Sequence, residues 1–309
     1  MTLRVTSLRA FAYHTRFWAT GVAVRAGLRS SIDRMLRPRI VGDVPHASVH
    51  DIVSFIEMTG GNVEDYRLPN GGLLTPHGWF GAWAPQELSR ALLAAQLPLN
   101  LTQVVHAGAS IRIRRLPEVG EPMRFVATVE TVVRTGKRVR IEQDLVTTTA
   151  RGETLTEHAV SLLLPGGRRP WTDKSRRQES VPATAQLLAT HELQSGEGWR
   201  FAKLSGDFNP VHWLTPYARH LGLEGTVAHG FDLCARLGHA AVASLADHQP
   251  HRVRFFEVRF RQPVVLPARV SIFAGSSTTT DSGARRFPLW IAVDQQSPAN
   301  AVAYVEVDS

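Results

Sequence analysis

Two groups able to exchange protons stand close together in the segment FAKLSGDFNPVHWL, from Phe201 to Leu214. Asp207 supplies a carboxylate and His212 an imidazole, five positions apart, with Gly206 and Pro210 between and beside them. Glycine and proline limit such a loop to a few backbone shapes, so both side chains can converge on one water. That pair suits general acid–base chemistry, in which one group activates water and the other carries a second proton. Asn209 is expected to bond its own backbone and hold the turn, the Asx role, rather than to serve chiefly in contacting substrate. Ser205 lies beside the acid but outside the frame of a G-x-S-x-G elbow, so it is not read as a nucleophile. Further along, Gly230 opens a segment in which Phe231, Cys234, Leu237, Ala241 and Leu245 recur at helical spacing. The N–H at such a helix start has no partner within the helix and sits at its positive end. It can therefore steady negative charge growing on a carbonyl oxygen, and glycine allows that oxygen a close approach. His229, next to it, is expected to be a packed or capping histidine bordering the site.

These residues need elements to hold them, and the chain offers the same set twice. A His-Gly pair precedes a long apolar helical stretch in TPHGWFGAWAPQELSRALLAA, at His77 and Gly78, and again in TVAHGFDLCARLGHAAVASLA, at His229 and Gly230. Alternating apolar and polar residues then predict antiparallel strands in SIRIRRLPEVGEPMRFVATVETVV, KRVRIEQDLVTTT and TLTEHAVSLLL. FFEVRFRQPVVLPARVSIFAGS, FPLWIAVDQQ and AVAYVEV repeat the pattern. A helix followed by antiparallel strands, twice, predicts an α+β fold in which each half wraps a sheet around a central helix. Between the halves, GGRRPWTDKSRRQE keeps no hydrophobic period and reads as a linker. The division expected is a basic arm over 1–40, a first unit over 41–165, a linker over 166–181 and a second unit over 182–309.

With 309 residues, 43% of them hydrophobic and 20% charged, the chain has ordinary globular composition and is not a disordered one. A single cysteine, Cys234, rules out a disulfide framework within the chain and any Cys-based zinc site, and fits a reducing compartment such as the cytoplasm. The His and carboxylate residues lack H-E-x-x-H spacing, and Walker and Rossmann fingerprints are absent, so neither a metal nor a cofactor is expected. The net charge is +8, and much of the excess falls in the first forty residues, where no acidic residue precedes Asp33. That arm reads as a basic surface helix packed on the body in preference to a membrane-surface or transit-like segment. Recognition patterns for nucleic acid are missing, so none is expected as a partner.

The segment around Asp207 resembles the hydratase signature of the MaoC-like, or (R)-specific enoyl-CoA hydratase, family. Ser205, Gly206, Asp207, Asn209, Pro210, Val211 and His212 match its S-G-D-x-N-P-[aliphatic]-H pattern. The family's A-x-x-x-G appears as Ala218 to Gly222, and its A-H-G as Ala228 to Gly230. FRQPVVLPA follows the later F-x-x-P-V-x-P-G, with Ala268 where glycine is usual. Two further departures are Leu214, two places after the histidine, and Ala235, where the family's central helix carries a serine. The resemblance covers the second half; in the first it is one of fold only, since HDIVSFIEMTGGNVEDYR occupies the corresponding place without the signature.

This resemblance implies a double hot-dog fold and reversible hydration of trans-2-enoyl thioesters to (3R)-3-hydroxyacyl thioesters. Asp207 and His212 would be the acid–base pair and Gly230 the donor to the enolate oxygen. Ser205, Asn209, His229 and Trp83 would border substrate, with Trp79, Phe80 and Trp83 shaping an acyl pocket from the first half. The substrate would be a coenzyme A or acyl-carrier-protein thioester, and the chain could pair as a homodimer. A hot-dog protein that binds acyl thioesters, or pairs with a partner subunit, without turning them over is the alternative.

Overall fold

The structure, a computed structural model, describes residues 37–97, 99, 104–135, 138–164 and 179–308. Nearly all of the basic arm and most of the 166–181 linker lie outside these residues. The alternating segments form strands β1 (Arg39–Asp43), β2 (Val105–Ile113), β3 (Met123–Thr135), β4 (Arg138–Thr149) and β5 (Thr154–Leu164) in the first half. The second contributes β6 (Gln186–Leu193), β7 (Val253–Phe260), β8 (Ala268–Ala274), β9 (Thr278–Thr279), β10 (Arg285–Ala292) and β11 (Ala301–Val307). All pair antiparallel in one sheet of order β1-β3-β4-β5-β2-β7-β11-β10-β8-β6, with β9 beside β10. The order is the same read inward from either end, so the duplication seen in the sequence is a duplication of topology. β2 and β7 join the halves, with Ile111 opposite Phe256. Gly108 makes the joint close, because a Cβ there would lie 2.5 Å from the Val258 carbonyl oxygen.

After its first strand each half has a short helix, α1 (Val49–Met58) and α3 (Glu197–Ser205), and then a central one, α2 (Ala84–Ala94) and α5 (Gly230–Leu245); α4 (Thr215–His220) follows the signature. The first central helix departs from expectation. Instead of one run from Gly78, Trp79–Ala82 form a 3-10 turn and α2 restarts with Pro85 in its first turn. Proline lacks the N–H that a helix interior must donate, but fits a helix start. α5 is almost wholly buried, with Cys234, Leu237, Ala241 and Val242 fully inaccessible among Phe55, Phe256, Val258 and Val305. It crosses the 3-10 turn where both lack bulk: a Cβ on Gly78 would lie 2.6 Å from that of Ala235. The missing serine hydroxyl at 235 therefore coincides with a backbone contact between the halves. No helix among the described residues is long and apolar enough to cross a membrane.

Candidate active site

The signature folds as a helix end and a short hydrogen-bonded loop. Ser205 is fully buried, and its Oγ donates to the Phe201 carbonyl (2.9 Å) and accepts from the Asp207 N–H (3.1 Å). Gly206 then turns left-handed at φ +73°, with its N–H on the Ala202 carbonyl, which ends α3. Asp207 Oδ1 accepts from Asn209 N–H at 3.2 Å, and Asn209 Oδ1 from Val211 N–H at 3.3 Å. Asn209 thus caps the 3-10 turn Pro210–His212, the structural part assigned to it. His212 Nδ1–H donates to the Val227 carbonyl at 2.8 Å, which leaves the lone pair of the neutral ring on Nε2.

His229 is 1% exposed, caps α5 from outside, and donates through Nε2–H to the Asp207 carbonyl at 3.1 Å. Its ring stacks on His212, centroids 3.6 Å apart. Asp207, His212 and His229 place ligand-type atoms within 4.8 Å of one another. The stacked rings are only 22° from parallel, so their in-plane lone pairs do not readily converge on one cation. That geometry favours proton transfer to a bound molecule over chelation.

These elements open onto a cleft of about 900 Å³, lined by Asp207, Asn209, His212 and Gly230 from the second half. Leu88 and Leu92 of α2 line it from the first. The aromatic residues expected to shape the acyl pocket lie elsewhere. Trp83 packs its ring on Phe125, Trp79 on Phe55, and Phe80 on His158 and Phe231, and none of the three lines the cleft. The α2 turns after Pro85 carry the leucines that do. Ser205 and His229 are likewise behind the cleft wall, holding the loop rather than facing a ligand. Leu214 is 40% exposed and stands before α4, away from the cleft lining.

Two features were not legible beforehand. His106, on β2 of the first half, lines the cleft beside Gly230. No motif surrounds it; only the nearby Gly108 hints at an irregular strand. The second is a buried ionic group in which Arg236 of α5 meets Asp232 at 2.9 Å and Glu197 of α3 at 3.0 Å and donates to the Met58 carbonyl. Burial pushes Asp232 up to about 6, against the pull of Arg236. Arg236 thereby ties the helices that precede both loops to the central helix.

A continuous antiparallel sheet around paired central helices, with one Asp–His loop at the second, defines a double hot-dog protein. Residues 173–283, in the half that carries the Asp207 loop, match the family described as MaoC like domain. It is 28% identical over 164 residues to 3-hydroxyacyl-thioester dehydratase X of Mycobacterium tuberculosis, a match covering 48% of this chain and 55% of that protein. The chain thus spans about half the length of that relative. Among solved structures it resembles HtdX of Mycobacterium tuberculosis (TM-score 0.65, 18% identity, 87% of this chain and 99% of that one). It also resembles a conserved hypothetical protein of the same organism described as having a double hotdog fold (TM-score 0.56, 13% identity, 88% and 96%).

Proposed function

We propose that the protein is a hydro-lyase that interconverts trans-2-enoyl and (3R)-3-hydroxyacyl thioesters. The observation that carries this is the convergence of Asp207, His212 and the start of α5 at Gly230 on one cleft. A thioester whose carbonyl oxygen faces the Gly230 N–H gains charge stabilisation as it becomes enolate-like, a contribution of about 3–4 kcal/mol for one such donor. Asp207 takes a proton from the attacking water as its oxygen bonds to C3. His212 is the second proton-transfer group: with a proton also on Nε2 it delivers that proton to C2 and recovers one from the protonated Asp207, so that both groups return to their starting state, and the reverse path expels water. Asn209 holds the loop that presents both. Leu88 and Leu92 offer apolar surface to the acyl chain, where each buried CH₂ contributes about 0.8 kcal/mol. The relative named a 3-hydroxyacyl-thioester dehydratase supports the reaction class.

The test is a spectrophotometric hydration assay with crotonyl-CoA and longer trans-2-enoyl-CoA substrates, its product passed to a dehydrogenase specific for (3R) or (3S) alcohols. Loss of the enoyl absorbance with oxidation only by the (3R) enzyme is expected. Full binding of the enoyl thioester without absorbance loss would replace the proposal with a non-catalytic acyl-thioester binder.

A further inference from the structure

The first half lacks the signature, yet it places one titratable side chain against the reacting end of α5. β2 shifts register against β5 between His106 and Gly108, a bulge that re-aims the side chain at this point of the strand. His106 Nε2–H donates to the Gly108 carbonyl at 3.0 Å, and the ring sits between Phe231 (4.4 Å between centroids) and Phe260 (5.0 Å). Its other nitrogen, Nδ1, is buried with no hydrogen-bond partner and lies where a Cβ on Gly230 would have to go. Gly230 is therefore a glycine for two reasons: approach of a ligand on one side and the imidazole on the other.

We propose that His106 is a positioning residue for the Gly230 N–H, so that the first half sets the donor that takes up the enolate charge in the second. This rests on the hydro-lyase proposal above. The ring is anchored by its far nitrogen to its own strand, and β2 is fixed to β7 by the sheet, so the imidazole is a rigid stop. Burial lowers its pKa to about 4, outweighing the nearby Asp207 carboxylate, and keeps the imidazole neutral. With the proton on Nε2, the edge turned to Gly230 is a bare lone pair, the slimmest edge an aromatic side chain can present. A shift of the Gly230 backbone by a few tenths of an ångström would spoil a donor that must meet an oxygen within hydrogen-bond range.

The experiment is a double-mutant cycle on the full chain with crotonyl-CoA: wild type, His106→Ala, Gly230→Ala and the double variant, with folding checked by thermal melts. His106→Ala is expected to lower kcat about tenfold with KM changed less than about twofold, because the donor acts on the transition state. Gly230→Ala is expected to lose about 10²-fold, the scale of a misplaced oxyanion donor. In the His106→Ala background the same change should cost clearly less, because the contact with His106 Nδ1 is gone and only the edge of the Phe260 ring, 2.9 Å from the new Cβ, still has to yield. Two further variants separate positioning from packing. His106→Gln keeps a donor for the Gly108 carbonyl and should retain more kcat than Ala, while His106→Phe fills the aromatic slot and should melt near wild type with reduced kcat. Additive losses from the two Ala changes, or full kcat in His106→Phe, would overturn the inference alone. A folded wild type without turnover would overturn the hydro-lyase proposal and this inference with it.

Discussion

The two loops that follow α1 and α3 share one backbone device and differ in what they leave open. Thr59 and Ser205 each donate a hydroxyl to the carbonyl four residues back, at 2.7 and 2.9 Å. Gly60 and Gly206 each turn left-handed, at φ +76° and +73°. Asn62 and Asn209 then cap 3-10 turns by accepting from the N–H two residues on, at 3.2 and 3.3 Å. Between glycine and asparagine, however, stands Gly61 alone in the first half, where the second has Asp207 and Phe208. Three places after the asparagine stands Asp65 rather than His212. The vacated space is filled by His239 of α5. Its Nε2 donates to Thr59 Oγ1 (2.9 Å), whose own proton goes to Phe55, and its Nδ1 accepts from the Tyr66 hydroxyl (2.8 Å). One loop of this shape lines the cleft and its twin forms a seam between halves. The turn is thus a scaffold, and what it presents depends on one inserted residue and on what packs opposite.

The largest expected effect is on the fold, through the buried imidazoles that seal the first half. Burial lowers His77 to about 4, His158 to about 3 and His239 to about 3, from 6.5. The unfolded chain therefore binds protons that the folded one refuses, and stability present above pH 6.5 is lost as pH falls toward those values. Each histidine accounts for about 1.4 kcal/mol per pH unit in that window. Asp232, raised to about 6 from 3.8, acts oppositely: its protonation as pH falls relieves a buried charge and offsets part of the loss. Three histidines outweigh one carboxylate, and a domain's total stability is only about 5–15 kcal/mol. Circular dichroism should show a melting temperature that falls steadily below pH 6.5. A constant melting temperature from pH 7 to about 5 would contradict this balance.

Next in size is the difference in turnover between the loops. Asp207→Asn and His212→Ala should each reduce kcat/KM by about 10² to 10⁴, while Asp65→Asn, at the counterpart of His212, should leave it within about twofold. A comparable loss at Asp65 would mean that both loops take part in catalysis.

Arg236→Met should cost stability by about 3–5 kcal/mol, because Asp232 would be left buried without its paired cation and Glu197 with only the largely exposed Arg200, 3.4 Å away. The shift in urea midpoint measures it. A loss below about 1 kcal/mol would show that the two helix ends are held by packing and not by this ion group.

The smallest expected effect falls at the seam. A Cβ on Gly61 would lie 2.5 Å from His239 Nδ1, so Gly61→Ala must displace the ring or the loop. A loss of about 1–3 kcal/mol is expected, as for other overpacked sites, with turnover per folded molecule unchanged. Altered turnover at full stability would instead make the seam a route by which the first half influences the site.

Much of this protein was decided by short stretches of sequence. The alternation in KRVRIEQDLVTTT and its neighbours specifies strands with one face inward, and the Ser205–His212 pattern builds its own turn from contacts no more than five residues apart. Such features are legible because a hydroxyl, an Asx side chain or a left-handed glycine acts on the backbone next to it. The repeated His-Gly-helix-strand order likewise made the duplication visible. What meets that loop from the other half was decided only in three dimensions. His106 reaches Gly230 because β2 pairs with β7 in one register and bulges beside Gly108. Trp83 went to the core against Phe125 because the chain turns at Pro85 and rotates the later leucines toward the cleft. Arg236 found Glu197 thirty-nine residues away, and His239 found Thr59 across one hundred and eighty. Local geometry is written in neighbouring residues, but the register between the two halves of the sheet and the crossing of two helices emerge from all the apolar faces packing at once.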